Sequence, residues 1–171
     1  MASGRVVAVV GNPKPASRTR VAAELVAAEL AALLPGPDAP DLIDLAEHGP
    51  ALLRWGDPDV AALRARVLDA AALVIASPTY KAAYTGLLKL FLDQFDAGEL
   101  GEIPTVAVMT GGSAAHSLVA DVHLLPVLLE IGASCPARGL YLWGPEVDDP
   151  EPAVARWLAT ARTPLARALR A

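Results

Sequence analysis

One pattern constrains this chain more than any other. Short, almost unbroken apolar runs alternate with longer segments of helical periodicity. Arg5–Val10 is apolar after its arginine, and Leu73–Ala76 has no polar residue at all. A strand that is apolar at every position has both faces buried, which is the mark of a parallel sheet covered by helices on both sides. The spacing predicts strands at Arg5–Val10, Asp41–Leu45, Leu73–Ala76, Ile103–Met109 and Gly139–Trp143. It predicts helices at Ser17–Leu34, Asp59–Ala71, Ala83–Phe95, Ser113–Ile131 and Glu151–Leu169. Pro35-Gly36-Pro37 closes the first helix, Pro35–Pro40 reads as a surface connection, and His48–Pro58 reads as a loop. In Asp59–Ala71, Val60, Leu63, Val67 and Leu68 oppose Arg64, Arg66 and Asp69, an amphipathic pattern.

Five such strands suit an α/β flavodoxin-like three-layer sandwich, a parallel sheet in the order 2-1-3-4-5. A length of 171 residues suits a single domain with a substantial core. No apolar run reaches the roughly 18 residues of a membrane span. The start lacks the longer apolar segment of a secretory signal, so a cytoplasmic location is expected. A single Cys135 excludes an internal disulfide, and with three His it argues against a structural zinc site. The net charge of −5 argues against nucleic acid as the main partner.

In sheets of this order, ligands bind beyond the carboxyl ends of the strands, near the topological switch. Three loops lie there. The first, "GNPKPASRTR" (Gly11–Arg20), sets Ser17, Arg18 and Thr19 at a helix start. Open backbone N–H groups, the helix dipole, two hydroxyls and a guanidinium suit a terminal phosphate. No Gly-Lys-Ser/Thr or GxGxxG pattern is present, which excludes a nucleoside-triphosphate loop and a dinucleotide fingerprint. The alternative for Ser17 and Arg18 is an ordinary N-cap and a surface charge. In the second, "MTGGSAAHS" (Met109–Ser117), Gly111 and Gly112 let a flat ligand approach the main chain, and Thr110 and Ser113 supply hydroxyls; two glycines also make ordinary turns. In the third, "SPTYK" (Ser77–Lys81), Pro78 fixes the exit from the strand. Thr79, Tyr80 and Lys81 are expected to offer amides with few competing partners, suited to the edge of a planar heterocycle; the alternative is a proline-ended strand and a partly buried tyrosine.

These segments carry a resemblance. "ASPTYKAAYTGLLKLFLD" and "TGGSAAHSLVAD", followed by "LLPVL", resemble the NADPH-dependent FMN reductase family. They are most similar to the branch that supplies reduced FMN to two-component monooxygenases of the alkanesulfonate type. The resemblance runs from Val6 to about Ile131. It implies FMN and NADPH or NADH as cofactors, with hydride transfer from reduced nicotinamide to the flavin and no side-chain acid or base. It implies that Gly11, Ser17, Arg18 and Thr19 form the phosphate loop. Pro78, Thr79, Tyr80 and Lys81 would frame the ring, and Thr110, Gly111, Gly112 and Ser113 would close its other side. That branch inserts a tyrosine in the helix after TGG, where it disturbs the helix at the subunit interface. Here "ADVHLLP" (Ala120–Pro126) has Val122 and His123 instead. FMN as a diffusible substrate and FMN as a retained group that reduces quinones both stay open, as does a non-catalytic flavin-binding electron carrier.

Several residues have two readings. Lys81 would neutralise reduced flavin or a nicotinamide phosphate, or face water. His116 would contact nicotinamide or cap its helix. His123 suits packing or an interface beside Pro126, which distorts its helix. Cys135 reads as a small buried or strand-edge residue. Trp55 would cover a site or partner, whereas Trp143 and Trp157 are expected in the core. The arginines from Arg156 to Arg170 read as a solvated face. Leu87–Phe95 and Leu124–Leu129 offer apolar surface for a homodimer or homotetramer.

Overall fold

The computed structural model describes residues 4–36 and 38–170, so Pro37 of the Pro35-Gly36-Pro37 stop lies outside the described residues. Strands β1 (Val6–Val10), β2 (Asp41–Asp44), β3 (Ala72–Pro78), β4 (Thr105–Gly111) and β5 (Leu140–Trp143) form one parallel sheet. Their order is 2-1-3-4-5, as the alternation predicts. Across the sheet Asp44, Val10, Ala76, Val108 and Leu140 stand in register. Beyond that row β3 runs on to Pro78, β4 to Gly111 and β5 to Trp143, whereas β1 and β2 end at it.

Strand alternation feeds two cores. Val6, Ala8, Val10 and Val74 face α1 (Arg18–Ala31) and α6 (Glu151–Ala168). Val7, Val9, Ile75 and Met109 face α2 (Gly49–Leu52), α3 (Pro58–Leu68), α4 (Gly86–Leu92) and α5 (Leu125–Glu130). Phe91 of α4 is fully buried and meets Phe95 edge-on at 5.4 Å. Each fully buried Leu or Phe contributes about 1.5–3 kcal/mol of transfer free energy, so these faces hold the sandwich together.

The element ends differ from the sequence reading for local reasons. The helix expected from Ala83 begins at Gly86, because Thr85 caps it by accepting from the Leu88 amide at 3.1 Å. The loop expected at His48–Pro58 contains α2, and Pro58 is already the first residue of α3, capped by Asp57. The single helix expected over Ser113–Ile131 is a 3-10 turn (Ala114–His116), a π turn (Ala120–Leu124) and α5. In the π turn the Leu125 amide reaches back five residues to the Ala120 carbonyl. Pro126, which follows, has no amide to continue an ordinary ladder, so the distortion expected beside it is present. Trp143 does not join the core; it is 42% exposed on the edge strand. Trp157 packs partly buried against the core and donates its indole N–H to the Arg138 carbonyl at 2.9 Å.

Candidate functional site

A cleft of about 580 Å³ opens at the carboxyl pole, where the loops after β1, β3 and β4 meet. Its first wall comes from the loop after β1. Ala16 adopts a left-handed backbone (φ 49°), turning the chain into the extended N-cap Ser17. The Ser17 hydroxyl accepts from the Arg20 amide at 3.3 Å, leaving its own proton available. Ser17, Arg18 and Thr19 all line the cleft, at the N-terminus of the 14-residue α1. The first amides of that helix have no intrahelical acceptor.

A buried polar chain ties this wall to the floor. The Asn12 side-chain amide donates to Thr19 Oγ1 at 3.1 Å, and Asn12 Oδ1 accepts from the Lys14 amide at 2.9 Å. Thr19 Oγ1 lies 2.8 Å from Thr110 Oγ1 at the end of β4. Two hydroxyl protons are available along this chain, and only one is needed between the threonines. The other remains as a donor.

The loop after β3 corrects an expectation. Pro78, Thr79 and Tyr80 line the cleft. Yet the Thr79 amide donates to the Thr110 carbonyl at 2.7 Å, and the Tyr80 amide to the Ala83 carbonyl at 2.9 Å. These amides were expected to be open, and they are taken. Ala83 returns a bond to Tyr80 at 3.1 Å, closing a tight turn with Lys81 (φ 52°) and Ala82 (φ 61°) at its tip. Lys81 is therefore exposed on the tip and is not among the cleft-lining residues. Thr79 Oγ1 is buried at the cleft without a well-formed hydrogen bond.

The two glycines after β4 serve different ends. Both line the cleft with Thr110. A Cβ at Gly112 would meet nothing within 4 Å, but one at Gly111 would lie 2.1 Å from the Tyr141 hydroxyl. Tyr141 therefore requires glycine at 111, whereas Gly112 faces open space. That hydroxyl donates to the Ser113 carbonyl at 2.8 Å. Burial pushes Tyr141 above its ordinary pKa, and a contact with Thr79 opposes the shift. Ser113 caps the 3-10 turn through the Ala115 amide and is not among the lining residues. Gly11 is also outside the lining set. It is buried beneath α4, where a Cβ would lie 2.5 Å from Leu88 Cβ. His116 is half-buried and His123 exposed, and neither is among the lining residues.

The sequence reading missed Asn12, Lys14, Ala16, Gly144 and Val147. Asn12 and Lys14 lie in a loop already singled out, and a polar side chain so close to β1 was the available signal. Gly144 and Val147 belong to a 3-10 turn after β5 that folds back against α1 and β4. Nothing local in the sequence marks that return.

The model of the NADPH-dependent FMN reductase family matches residues 4–146. The chain belongs to this family. Over 140 residues it is 35% identical to an FMN reductase (NADPH) of Pseudomonas aeruginosa, covering 80% of this chain and 75% of that one. Over 169 residues it is 32% identical to the NADH-dependent FMN reductase SfnE of Pseudomonas putida, covering 96% and 90%. Among solved structures it resembles an NADH:FMN oxidoreductase in its apo form, with a TM-score of 0.79, 28% identity and coverage of 97% and 86%. As a member of the FMN reductase family the protein is an oxidoreductase that works with FMN and NADPH or NADH. The cleft fits that cofactor chemically. Hydroxyls, helix amides, Lys14 and Arg18 gather at one wall, whereas Pro78, Tyr80 and Val147 give flatter, less polar surface elsewhere. No helix among the described residues is long and apolar enough to cross a membrane.

Proposed function

We propose that the cleft holds FMN with its phosphate at the N-terminus of α1, and that the protein hands reduced flavin to a separate monooxygenase in the cytoplasm. The observation that carries the phosphate assignment is the gathering of Ser17, Arg18 and Thr19 on one cleft wall, with Thr19 locked to Thr110 at 2.8 Å. FMN, when bound, supplies the hydride-accepting chemistry. The chain's own residues bind and orient. Ser17 and Arg18 offer a hydroxyl and a guanidinium to the phosphate, and Thr19 and Thr110 fix the loop that presents them. Pro78, Tyr80 and Gly112 shape the side of the cleft assigned to the ring. No carboxylate pair or His relay is needed, because hydride transfer demands alignment rather than a protein acid or base.

Delivery to a partner is supported by Ala76–Asp93 and Thr110–Asp121, the segments that resemble reductase components of two-component systems. Leu118, Val122 and Leu129 are each more than half exposed along the broken helical segment after β4. That apolar stripe supports self-association as a homodimer or homotetramer, and a monomeric mass by light scattering would count against it. The deciding experiment is stopped-flow oxidation of NADPH and of NADH with and without excess free FMN. Turnover that requires free FMN, with an equivalent of reduced flavin released, supports the proposal. Turnover of an as-purified flavoprotein that ignores added FMN would replace it with a retained cofactor.

A further inference from the structure

Arg18, the cation assigned to the phosphate, already has an anionic partner. Its Nη1 lies 2.7 Å from Asp148 Oδ1, across 130 positions of sequence. Asp148 is held by the 3-10 turn after β5, whose Gly144 and Val147 line the cleft. Its amide donates to the Pro145 carbonyl at 3.1 Å, and Gly144 (φ 57°) sets the turn that brings the carboxylate to this side of β4. Both side chains are about two-thirds exposed, so the pair is weak and readily exchanged.

We infer that Asp148 acts as an internal competitor of the ligand's phosphate: its carboxylate pairs with Arg18, must give up the guanidinium when a flavin phosphate binds, and thereby weakens binding and speeds release. The inference rests on the phosphate assignment above. The chemistry is an exchange of anions on one guanidinium. A phosphate monoester carries close to two negative charges at neutral pH and takes Arg in a bidentate grip, so it outcompetes a single exposed carboxylate. The displaced carboxylate is then left unpaired near a dianion, which disfavours the bound state. For a reductase that must release its product flavin, this limits residence without loosening the ring's contacts.

The test compares FMN with riboflavin, which has the same ring system but no phosphate, by flavin fluorescence titration and stopped-flow dissociation. Asp148→Asn should tighten FMN by about two- to fivefold, mostly through slower dissociation, and leave riboflavin unchanged. Asp149→Asn, which removes the same charge one residue along, should change FMN affinity by less. In an Arg18→Ala background, Asp148→Asn should lose most of its effect. Unchanged or weaker FMN binding by Asp148→Asn overturns the inference. So does equal tightening of riboflavin, equal tightening by Asp149→Asn, or a full effect without Arg18. If Arg18→Ala weakens FMN while Asp148→Asn does nothing, the competitor fails and the phosphate assignment stands. If FMN and riboflavin bind alike and Arg18→Ala changes neither, both fall.

Discussion

Gly111 is glycine because of Tyr141, and this makes a cleft residue testable through stability. A Cβ there would lie 2.1 Å from the Tyr141 hydroxyl, which donates to Ser113. Gly111→Ala should cost about 1–3 kcal/mol in urea denaturation, the usual scale of overpacking. Tyr141→Phe removes the obstructing oxygen, so Gly111→Ala/Tyr141→Phe should recover a substantial part of that loss. Strictly additive effects of the two changes would show that the contact is not the cause. Cys135 gives a second check. Burial pushes its thiol up to about 11, so little thiolate exists near neutrality. Iodoacetamide labelling at pH 8 should be slow in the native protein and fast in denaturant. The Gly111 contact lay beyond the sequence: "TGG" marks a need for glycine, but Tyr141, on the next strand, supplies the reason.

Among the elements, the turn from Tyr80 to Ala83 has the clearest stored strain. Lys81 and Ala82 both have positive φ, a conformation that costs an L-residue roughly 1–2 kcal/mol and that Asn-Gly adopts readily. Lys81→Asn/Ala82→Gly should therefore stabilise the protein by about 1 kcal/mol, read as a higher urea midpoint. A lower midpoint would show that the turn is held by contacts made through Lys81. The same turn shows where reading the sequence stopped. The strands were legible because Val6–Val10 and Ala72–Ala76 are apolar on both faces, and that pattern also gave the sheet order and the three loops. The cleft wall of Ser17, Arg18 and Thr19 was legible because Ser17 follows a strand and opens a helix. The use of the Thr79 and Tyr80 amides was not, because "YKAA" carries no turn signature and the acceptor of Thr79 lies on another strand. Pro126 announced a disturbed helix, but its shape, a π turn closed from Leu125 to Ala120, depends on packing.

At the scale of the whole molecule, acid should act in part through two aspartates, alongside Glu99 on Arg64. Arg66 holds the Asp41 carboxyl below its ordinary value by hydrogen bonding, joining β2 to α3. Arg54 does the same for Asp57, the cap of α3. A depressed native pKa gives stability that is complete above the unfolded value, near 3.8, and disappears as pH falls through the native values. Denaturation midpoints should therefore hold steady down to about pH 4 and drop below it, and Arg66→Met should flatten part of that drop. A protein whose midpoint falls mainly above that range would owe its acid response to other groups. Thr110 has a longer-range consequence. Its carbonyl holds the loop after β3 and its hydroxyl meets Thr19, which in turn meets Asn12. A lone change at position 12, 19 or 110 strands a buried polar partner, while a concerted change need not. Over generations these three positions should drift only together, as one inherited unit, while the exposed Lys81 and Ala82 at the turn tip answer only to their left-handed backbone. Descendants can thus diversify the rim of the cleft and leave its floor untouched.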